Sequence, residues 1–316
     1  MPDSMPDPTP VAPGTELLAG ALARQYAELG AALRGADGSP SADDVHRARV
    51  AARRLRSLLK TFATVLDAPT VRICRLDLRS FGQAYGQVRE ADVRRELLLG
   101  IGRDSREVTP AEQRRLDAVL SVEADAARAA LRTRAAEPAW SALIGALGRQ
   151  PGRPGLAPRP DVGWPDVLAL VERPWRKAMR LIAEEPDDEL GLHELRLALK
   201  HCRYALEPVA DLAAKPGSRL MRRLRAVQDS LGEHRDAVQA LAWLDRPTAR
   251  LSQTLVAKLR DRLEREERRR RRRAQERIEA LQPAYDKWHT ATHRFRRRVR
   301  RRRVHSRSRR SSSSSP

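Results

Sequence analysis

Two stretches of the chain, VHRARVAARRLRSLL at residues 45–59 and LHELRLALKHCRYAL at residues 192–206, share one pattern of residue types at an offset of 147. Further along, GQVREA at 86–91 matches GEHRDA at 232–237 at an offset of 146. Two matches at nearly the same offset are typical of an internal repeat. The sequence therefore predicts two duplicated halves.

Each copy of the first stretch separates its basic residues from its apolar residues when it is placed on a helix. The basic residues recur at spacings of three and four, so they share one face, and the leucines and alanines occupy the other. Glu207 stands where Lys60 stands in the first copy, and we expect this carboxylate to pair with a neighbouring base. The first stripe is His46, Arg49, Arg53, Arg56 and Lys60, and the second stripe is His193, Arg196, Lys200 and Arg203.

The rest of the chain also has a helical pattern. Leucines recur at helical spacing through most of it, and no alternating strand pattern occurs between hairpin turns. Ser41 with Asp44, and Thr109 with Glu112 after Pro110, predict helix starts with capping boxes. These features predict an all-α protein made of helical bundles.

Composition divides the chain into five segments. Prolines in residues 1–14 and Arg/Ser repetition in residues 290–316 predict disordered ends. A Pro/Gly-rich stretch at 149–165 predicts a linker between helical bundles at 15–148 and 166–289.

The chain is strongly basic, with 62 Lys and Arg against 41 Asp and Glu and a formal net charge of +21. Residues 291–316 contain 11 arginines and no acid, so about half of this charge lies in the tail. The preference for Arg over Lys fits either a GC-rich genome or selection of a planar group that binds phosphate oxygens in pairs. Composition does not separate these explanations, whereas the position of the arginines can.

Several classes of protein are disfavoured. The apolar runs are shorter than a membrane span, and the first residues lack a secretory signal, so we expect a cytoplasmic protein that does not enter membranes. Cys74 and Cys202 are too few for a disulfide framework, and no CxxC pair is present to bind zinc. No metal, cofactor or catalytic residue is predicted.

The two stripes have two possible explanations. A solvated helix face usually mixes charges of both signs, with partners four residues apart. These stripes contain almost only bases, and both copies keep the pattern, which favours binding of an anion that offsets the repulsion.

At these residues the sequence resembles the CHAD family, the conserved histidine α-helical domain, over about residues 15–289. The resemblance rests on the V/L-H-x-x-R-x-A-x-[RK]-x-x-R helices at 45–56 and 192–203, on R-Y-A-L-E at 203–207, and on L-G-x-x-R-[DE] at Leu231–Gly232; Tyr85–Gly86 replaces Leu-Gly in the first half. It implies two four-helix bundles related by a pseudo-twofold axis, with a basic central groove or pore. It also implies binding of inorganic polyphosphate, and no catalytic activity is attached to the domain of the family. For the purpose of the binding, we expect either association with polyphosphate granules or modulation of polyphosphate metabolism, and the sequence leaves both open.

The chemistry of the stripes agrees with such a partner, because a polyphosphate chain offers only phosphate oxygens to Arg, Lys and His. His46 and His193 fit phosphate donors, although a purely structural role is also open, and their arginine neighbours disfavour a metal. Arg79 and Arg225 match at the second offset and are further candidates for the groove. For Arg89 and Arg235, an ion pair at a helix junction is the first expectation and ligand contact the second.

Two rival functions remain. The basic tail and the run Arg268–Arg273 could bind nucleic acid nonspecifically, although six consecutive bases surround a helix and cannot face one groove, so we expect residues 264–273 to form an exposed helix. The carboxylates at 264–267 imitate the E-x-E-x-K signature of CYTH triphosphatases, but Arg replaces Lys in a helical context, which favours a chance match. The sequence predicts neither an oligomeric state nor a preferred chain length.

Overall fold

The computed structural model describes residues 14–34, 41–148, 156–246 and 251–312, and this part of the chain contains ten α-helices and no β-strand. The all-α prediction is confirmed. The helices are α1 Gly14–Arg34, α2 Ala42–Thr61, α3 Ala68–Arg103, α4 Pro110–Ala135, α5 Pro138–Gly148, α6 Trp164–Ala183, α7 Glu189–Leu206, α8 Ala214–Leu244, α9 Gln253–Glu279 and α10 Gln282–Ser312.

Both predicted capping boxes are present. At the start of α2, the Ser41 hydroxyl accepts from the backbone N–H of Asp44 at 3.2 Å, and the Asp44 carboxylate accepts from the backbone N–H of Ser41 at 3.1 Å. Thr109 and Glu112 make the same exchange at the start of α4, with Pro110 in the first turn. These side chains satisfy backbone donors that a helix start leaves unpaired, so they fix where α2 and α4 begin.

The helices pack in the same order in both halves. Helix α2 packs between α1 and α3, and α3 packs on α4; likewise α7 packs between α6 and α8, and α8 packs on α9. The two halves meet where α2 contacts α7 and α3 contacts α8. This order agrees with a repeat, although the duplication itself stays a prediction. None of the described helices combines the length and apolar composition that crossing a membrane requires.

The two halves share their hydrophobic cores. One cluster of buried side chains contains Leu55 of α2 and Leu199 of α7. A second cluster contains Leu98 of α3 and Trp243 of α8. Burial of apolar area is the main favourable contribution to folding, so each half contributes to the stability of the other.

The predicted linker is packed in its second part. Residues 149–155 lie outside the described residues, but Leu156 and Val162 are buried, and the Arg159 N–H donates to the Val65 carbonyl at 3.0 Å. Helix α6 begins at Trp164, inside the predicted linker. The high content of proline and glycine predicted a linker here, although its buried apolar residues pack this segment against the protein.

Helix α10 extends into the segment 290–316, for which the sequence predicted disorder. This helix continues to Ser312, with Trp288, Thr292 and Phe295 buried at helical spacing. Arg296 also forms an ion pair with Glu172 of α6 at 2.6 Å. The Arg/Ser composition concealed this apolar spacing. Residues 1–13 and 313–316, predicted to be disordered, lie outside the described part of the chain.

Candidate functional site

The two stripes converge on one cavity of about 920 Å³ between α2, α3, α7 and α8, which we call the main cavity. Helix α2 contributes the N-terminal part of its stripe, and α7 contributes its whole stripe. The predicted residues in the wall of the main cavity are His46, Arg49, Arg53, His193, Arg196, Lys200 and Arg203.

A smaller cavity of about 300 Å³, the side cavity, lies between α2 and α3. Arg56 and Arg79 line it, and Arg49 and Arg53 belong to the walls of both cavities. The two cavities therefore meet at the middle of the first stripe. Neither wall contains Lys60 or Arg225, and Arg225 is exposed on α8.

A buried tyrosine orients arginines from both stripes. The Arg53 Nε–H donates to the Tyr204 hydroxyl at 2.8 Å, and the Arg203 guanidinium carbon lies 4.7 Å from the centroid of the same ring. Glu207 lies 3.8 Å from Arg203 and 3.5 Å from Arg54, so the predicted pairing of this carboxylate is confirmed. The second stripe thus ends at an internal ion pair.

Glycines on α3 and α8 leave room for the arginines of the repeated motifs. A Cβ added at Gly86 would lie 2.8 Å from Nη1 of Arg49, and a Cβ added at Gly232 would lie 3.9 Å from Nη2 of Arg196. The repeated glycine of each half therefore faces the equivalent arginine of that half. At Gly86 the approach is so close that a side chain would displace the guanidinium.

Several polar atoms of the second stripe are buried and have no hydrogen-bond partner among the described protein atoms. These are Nε of Arg196, Nε of Arg203 and Nδ1 of His193. Buried polar groups are normally paired, so unpaired atoms in a cavity wall are typical of a place where a ligand binds.

The ionisable groups of the main cavity are strongly perturbed. Burial, reinforced by the charges of Arg53 and Arg196, lowers the pKa of Lys200 to about 6. Burial and neighbouring arginines also lower the pKa of His46 and of His193 below the usual histidine value. These three groups are therefore largely uncharged at neutral pH, and a bound anion would favour their protonated forms.

Acidic residues also enter the main cavity, but bases outnumber them, with nine Arg and Lys against five Asp and Glu in the wall. Arg235 forms an ion pair with Glu189, as first expected, and also lines the cavity. Burial raises the pKa of Asp236, which has no ion-pair partner among the described residues. The net charge of the wall favours an anionic ligand.

Sequence reasoning missed part of the wall. Arg94 and Arg246 line the main cavity but lie outside the repeated motifs, and Arg94 donates to Glu123 at 2.7 Å. Arg89 also lines the main cavity, and no carboxylate of the described residues lies within ion-pair distance of it. For Arg89, ligand contact therefore fits the structure better than an ion pair at a helix junction. The repeated G-x-x-R motif was the available signal for Arg89.

The arginine run on α9 is helical, as expected, and points in several directions. Arg269 and Arg270 reach a third cavity of about 740 Å³, but both also donate to Glu266, at 2.9 Å and 2.8 Å. Glu264 lies 4.0 Å from Arg268, and Glu267 lies 2.7 Å from His234. The carboxylates at 264–267 thus face separate bases. No group of three potential metal ligands occurs among the described residues.

The family model of the CHAD domain matches residues 16–245, which include both stripes and both cavity-facing glycines. The chain belongs to the CHAD family. Among solved structures, PptA from Streptomyces chartreusis is 21% identical with a TM-score of 0.66, and the match covers 87% of this chain and 100% of that chain. The CHAD domain from the plant Ricinus communis is 24% identical with a TM-score of 0.66, over 90% of this chain and 95% of that chain.

The two solved structures show that this CHAD protein shares their fold. No curated protein matches its sequence. Helix α9 and helix α10 follow the last residue of the CHAD family match, whereas the cavity helices α2, α3, α7 and α8 lie within it.

Proposed function

We propose that this CHAD protein binds inorganic polyphosphate in the main cavity and does not turn it over. The observation that carries the proposal is the convergence of two basic stripes, 147 residues apart in sequence, on one cavity. A linear chain of phosphates presents a continuous series of anionic oxygens, which converging guanidinium groups bind well.

The lining supports a phosphate chain over a nucleic acid. Tyr204 is the one Phe, Tyr or Trp in the wall of the main cavity, and it is only 1% exposed, with its hydroxyl bonded to Arg53. Proteins that bind single-stranded nucleic acids typically stack bases on exposed aromatic rings. The wall of the main cavity therefore offers arginines that can bind phosphate groups, but it offers no exposed aromatic ring on which a base could stack.

Binding is tested by reversing the charge of four cavity arginines in one protein, Arg49→Glu, Arg53→Glu, Arg196→Glu and Arg203→Glu. We expect at least a roughly 100-fold loss of affinity for long-chain polyphosphate, because several charge-assisted hydrogen bonds are lost together. The matched control reverses four exposed arginines on and near α4, namely Arg106, Arg114, Arg115 and Arg132, and should change affinity little.

The contribution of the tail is tested by truncation after Arg298, which keeps Phe295 in the core and Arg296 on Glu172. We expect this truncation to weaken binding far less than the four reversals do. A greater loss on truncation would contradict the site. Displacement of polyphosphate from the truncated protein by duplex DNA would contradict the choice of ligand in favour of nonspecific nucleic-acid binding.

The biological role that we propose is attachment to polyphosphate granules in the cytoplasm or modulation of polyphosphate metabolism. A tagged copy should follow the granules in cells that contain them and become diffuse in cells that lack them. The non-catalytic part of the proposal is tested separately: phosphate release from tripolyphosphate with magnesium, above a control without protein, would contradict it.

A further inference from the structure

The first stripe continues beyond the main cavity. Arg56 lines the side cavity with Arg79 of α3, and Lys60 follows one turn later on α2. Arg75 lies one turn before Arg79 on α3. We call these four cations, Arg56, Lys60, Arg75 and Arg79, the α2–α3 cluster.

The members of the α2–α3 cluster repel one another. Burial and the charges of Arg75 and Arg79 lower the pKa of Arg56. Burial, Arg75 and Lys177 lower the pKa of Lys60. Among the described residues, none of the four cations has a carboxylate within ion-pair distance, whereas the neighbouring Lys177 lies 2.5 Å from Glu194. Close uncompensated cations are unfavourable, so an anion bound between them would stabilise the protein.

The neighbouring polar groups do not offset the charge of the cluster. Nε of Arg75 is buried and has no hydrogen-bond partner among the described protein atoms. His201 of α7 lies beside the cluster, with its Nε2 3.0 Å from the Thr61 hydroxyl, and burial together with Lys60 and Arg75 lowers its pKa to about 4. This histidine is held neutral and bonded to Thr61, so it does not compensate the cluster.

The second half lacks an equivalent cluster. At the counterpart of Lys60 stands Glu207, which lies close to Arg203 and Arg54, and at the counterpart of Arg75 stands Met221, which is buried. The second stripe is therefore closed by its own carboxylate. In the first half, by contrast, the four cations of the α2–α3 cluster extend the first stripe away from the main cavity, and none of them has an ion-pair partner among the described residues.

We propose that the α2–α3 cluster is an accessory anion site, which holds the part of a long polyphosphate chain that leaves the main cavity through the side cavity. The inference rests on the proposed function and adds a dependence on chain length. His46 and Lys60 are separated by about 21 Å along α2, at 1.5 Å per residue, so a chain must be long to contact both ends. Tripolyphosphate in the main cavity would not reach Lys60 and Arg75, which lie outside the walls of both cavities.

The test compares long-chain polyphosphate with tripolyphosphate on the full chain. We expect the double variant Lys60→Met with Arg75→Met to bind the long chain about tenfold or more weakly, because two charge-assisted contacts are lost. The log–log salt slope for the long chain should become shallower by about 1.4. Affinity for tripolyphosphate should stay within about twofold. The control Arg219→Met with Arg222→Met removes two exposed charges from α8 and should change neither affinity.

The exposed Arg79 provides a second variant, Arg79→Met, which leaves the core untouched and should reproduce the selective loss at smaller size. An unchanged affinity for the long chain, or equal losses for both lengths, would overturn the accessory site. If the unmodified protein bound no polyphosphate of either length, the proposed function would fail instead. The two failures are therefore distinguishable.

Discussion

The Nε–H of Arg53 on α2 donates to the hydroxyl of Tyr204 on α7, 2.8 Å away. The same ring lies under the Arg203 guanidinium, whose central carbon is 4.7 Å from the ring centroid. One buried side chain therefore positions an arginine from each stripe. Tyr204 follows Arg203 directly in the repeated helix, so the second half supplies the residue that orients the arginine of the first.

We expect Tyr204→Phe to weaken polyphosphate binding by about three- to tenfold, since it removes one hydrogen bond worth roughly 1 kcal/mol that holds Arg53 in place. Isothermal titration calorimetry measures the change. Tyr285→Phe is the control, because Tyr285 stacks on Trp175 of α6, remote from the wall of the main cavity. Equal effects of the two substitutions would contradict an orienting role for Tyr204.

We expect Gly86→Ala to weaken binding, because the new methyl would meet the Arg49 guanidinium and displace it from the cavity. Gly20→Ala on α1, which lines neither cavity, meets no atom within 4 Å. This control should keep the affinity and raise the free energy of unfolding by about 0.5–1 kcal/mol, the usual gain for Ala over Gly inside a helix. A loss of affinity in both variants would contradict the specific role of Gly86.

Binding should tighten as the pH falls from 8 towards 6. Without a ligand, burial lowers the pKa of Lys200 to about 6. The charges of Arg53 and Arg49 on α2 and of Arg196 on α7 reinforce this shift, and Asp236 on α8 opposes it. A bound polyanion raises this pKa, so binding takes up a proton.

Calorimetry in two buffers of different ionisation enthalpy measures that proton uptake. Lys200→Met should reduce the uptake near pH 7, although His46 and His193, whose pKa values are also lowered, keep part of it. An unchanged proton count in Lys200→Met would contradict this assignment.

The same lysine should cost stability in the absence of ligand. Its pKa is about 6 in the folded protein and 10.5 when the lysine is fully solvated in an unfolded chain, so between these values the unfolded chain binds more protons. The contribution of Lys200 to the free energy of unfolding therefore rises with pH across this window. Lys200→Met should raise the melting temperature at pH 7, measured without polyphosphate, and a lower melting temperature would contradict the reasoning.

Affinity should fall steeply with salt. By analogy with single-stranded nucleic acids, each neutralised phosphate contributes about −0.7 to the slope of log K against log salt. If each of the seven predicted residues in the wall of the main cavity contacts one phosphate, the slope should be about −5. Arg196→Ala should make the slope shallower by about 0.7. Titrations at several potassium chloride concentrations provide the slope, and a slope near zero would contradict binding through the stripes.

Much of this protein was predictable from local patterns. The helical class, the capping boxes at Ser41 and Thr109, and the basic faces of α2 and α7 depend on residues three or four apart, whose geometry a helix determines. The internal pairing of Glu207 was predictable as well, because an acid stood in a series of bases. Composition was a poor guide where a few apolar residues determine the packing. In the arginine-rich tail, for example, Phe295 is buried although the composition predicted disorder.

The sequence by itself thus determined which face of each repeated helix is basic, because side-chain direction follows from helical periodicity. Only the tertiary structure decided that Arg53 and Tyr204 meet across the two halves, that Arg225 lies outside both cavities, and that Arg75 joins the α2–α3 cluster. These outcomes depend on how α2, α3, α7 and α8 pack, and burial of shared apolar faces sets that packing without leaving a local pattern.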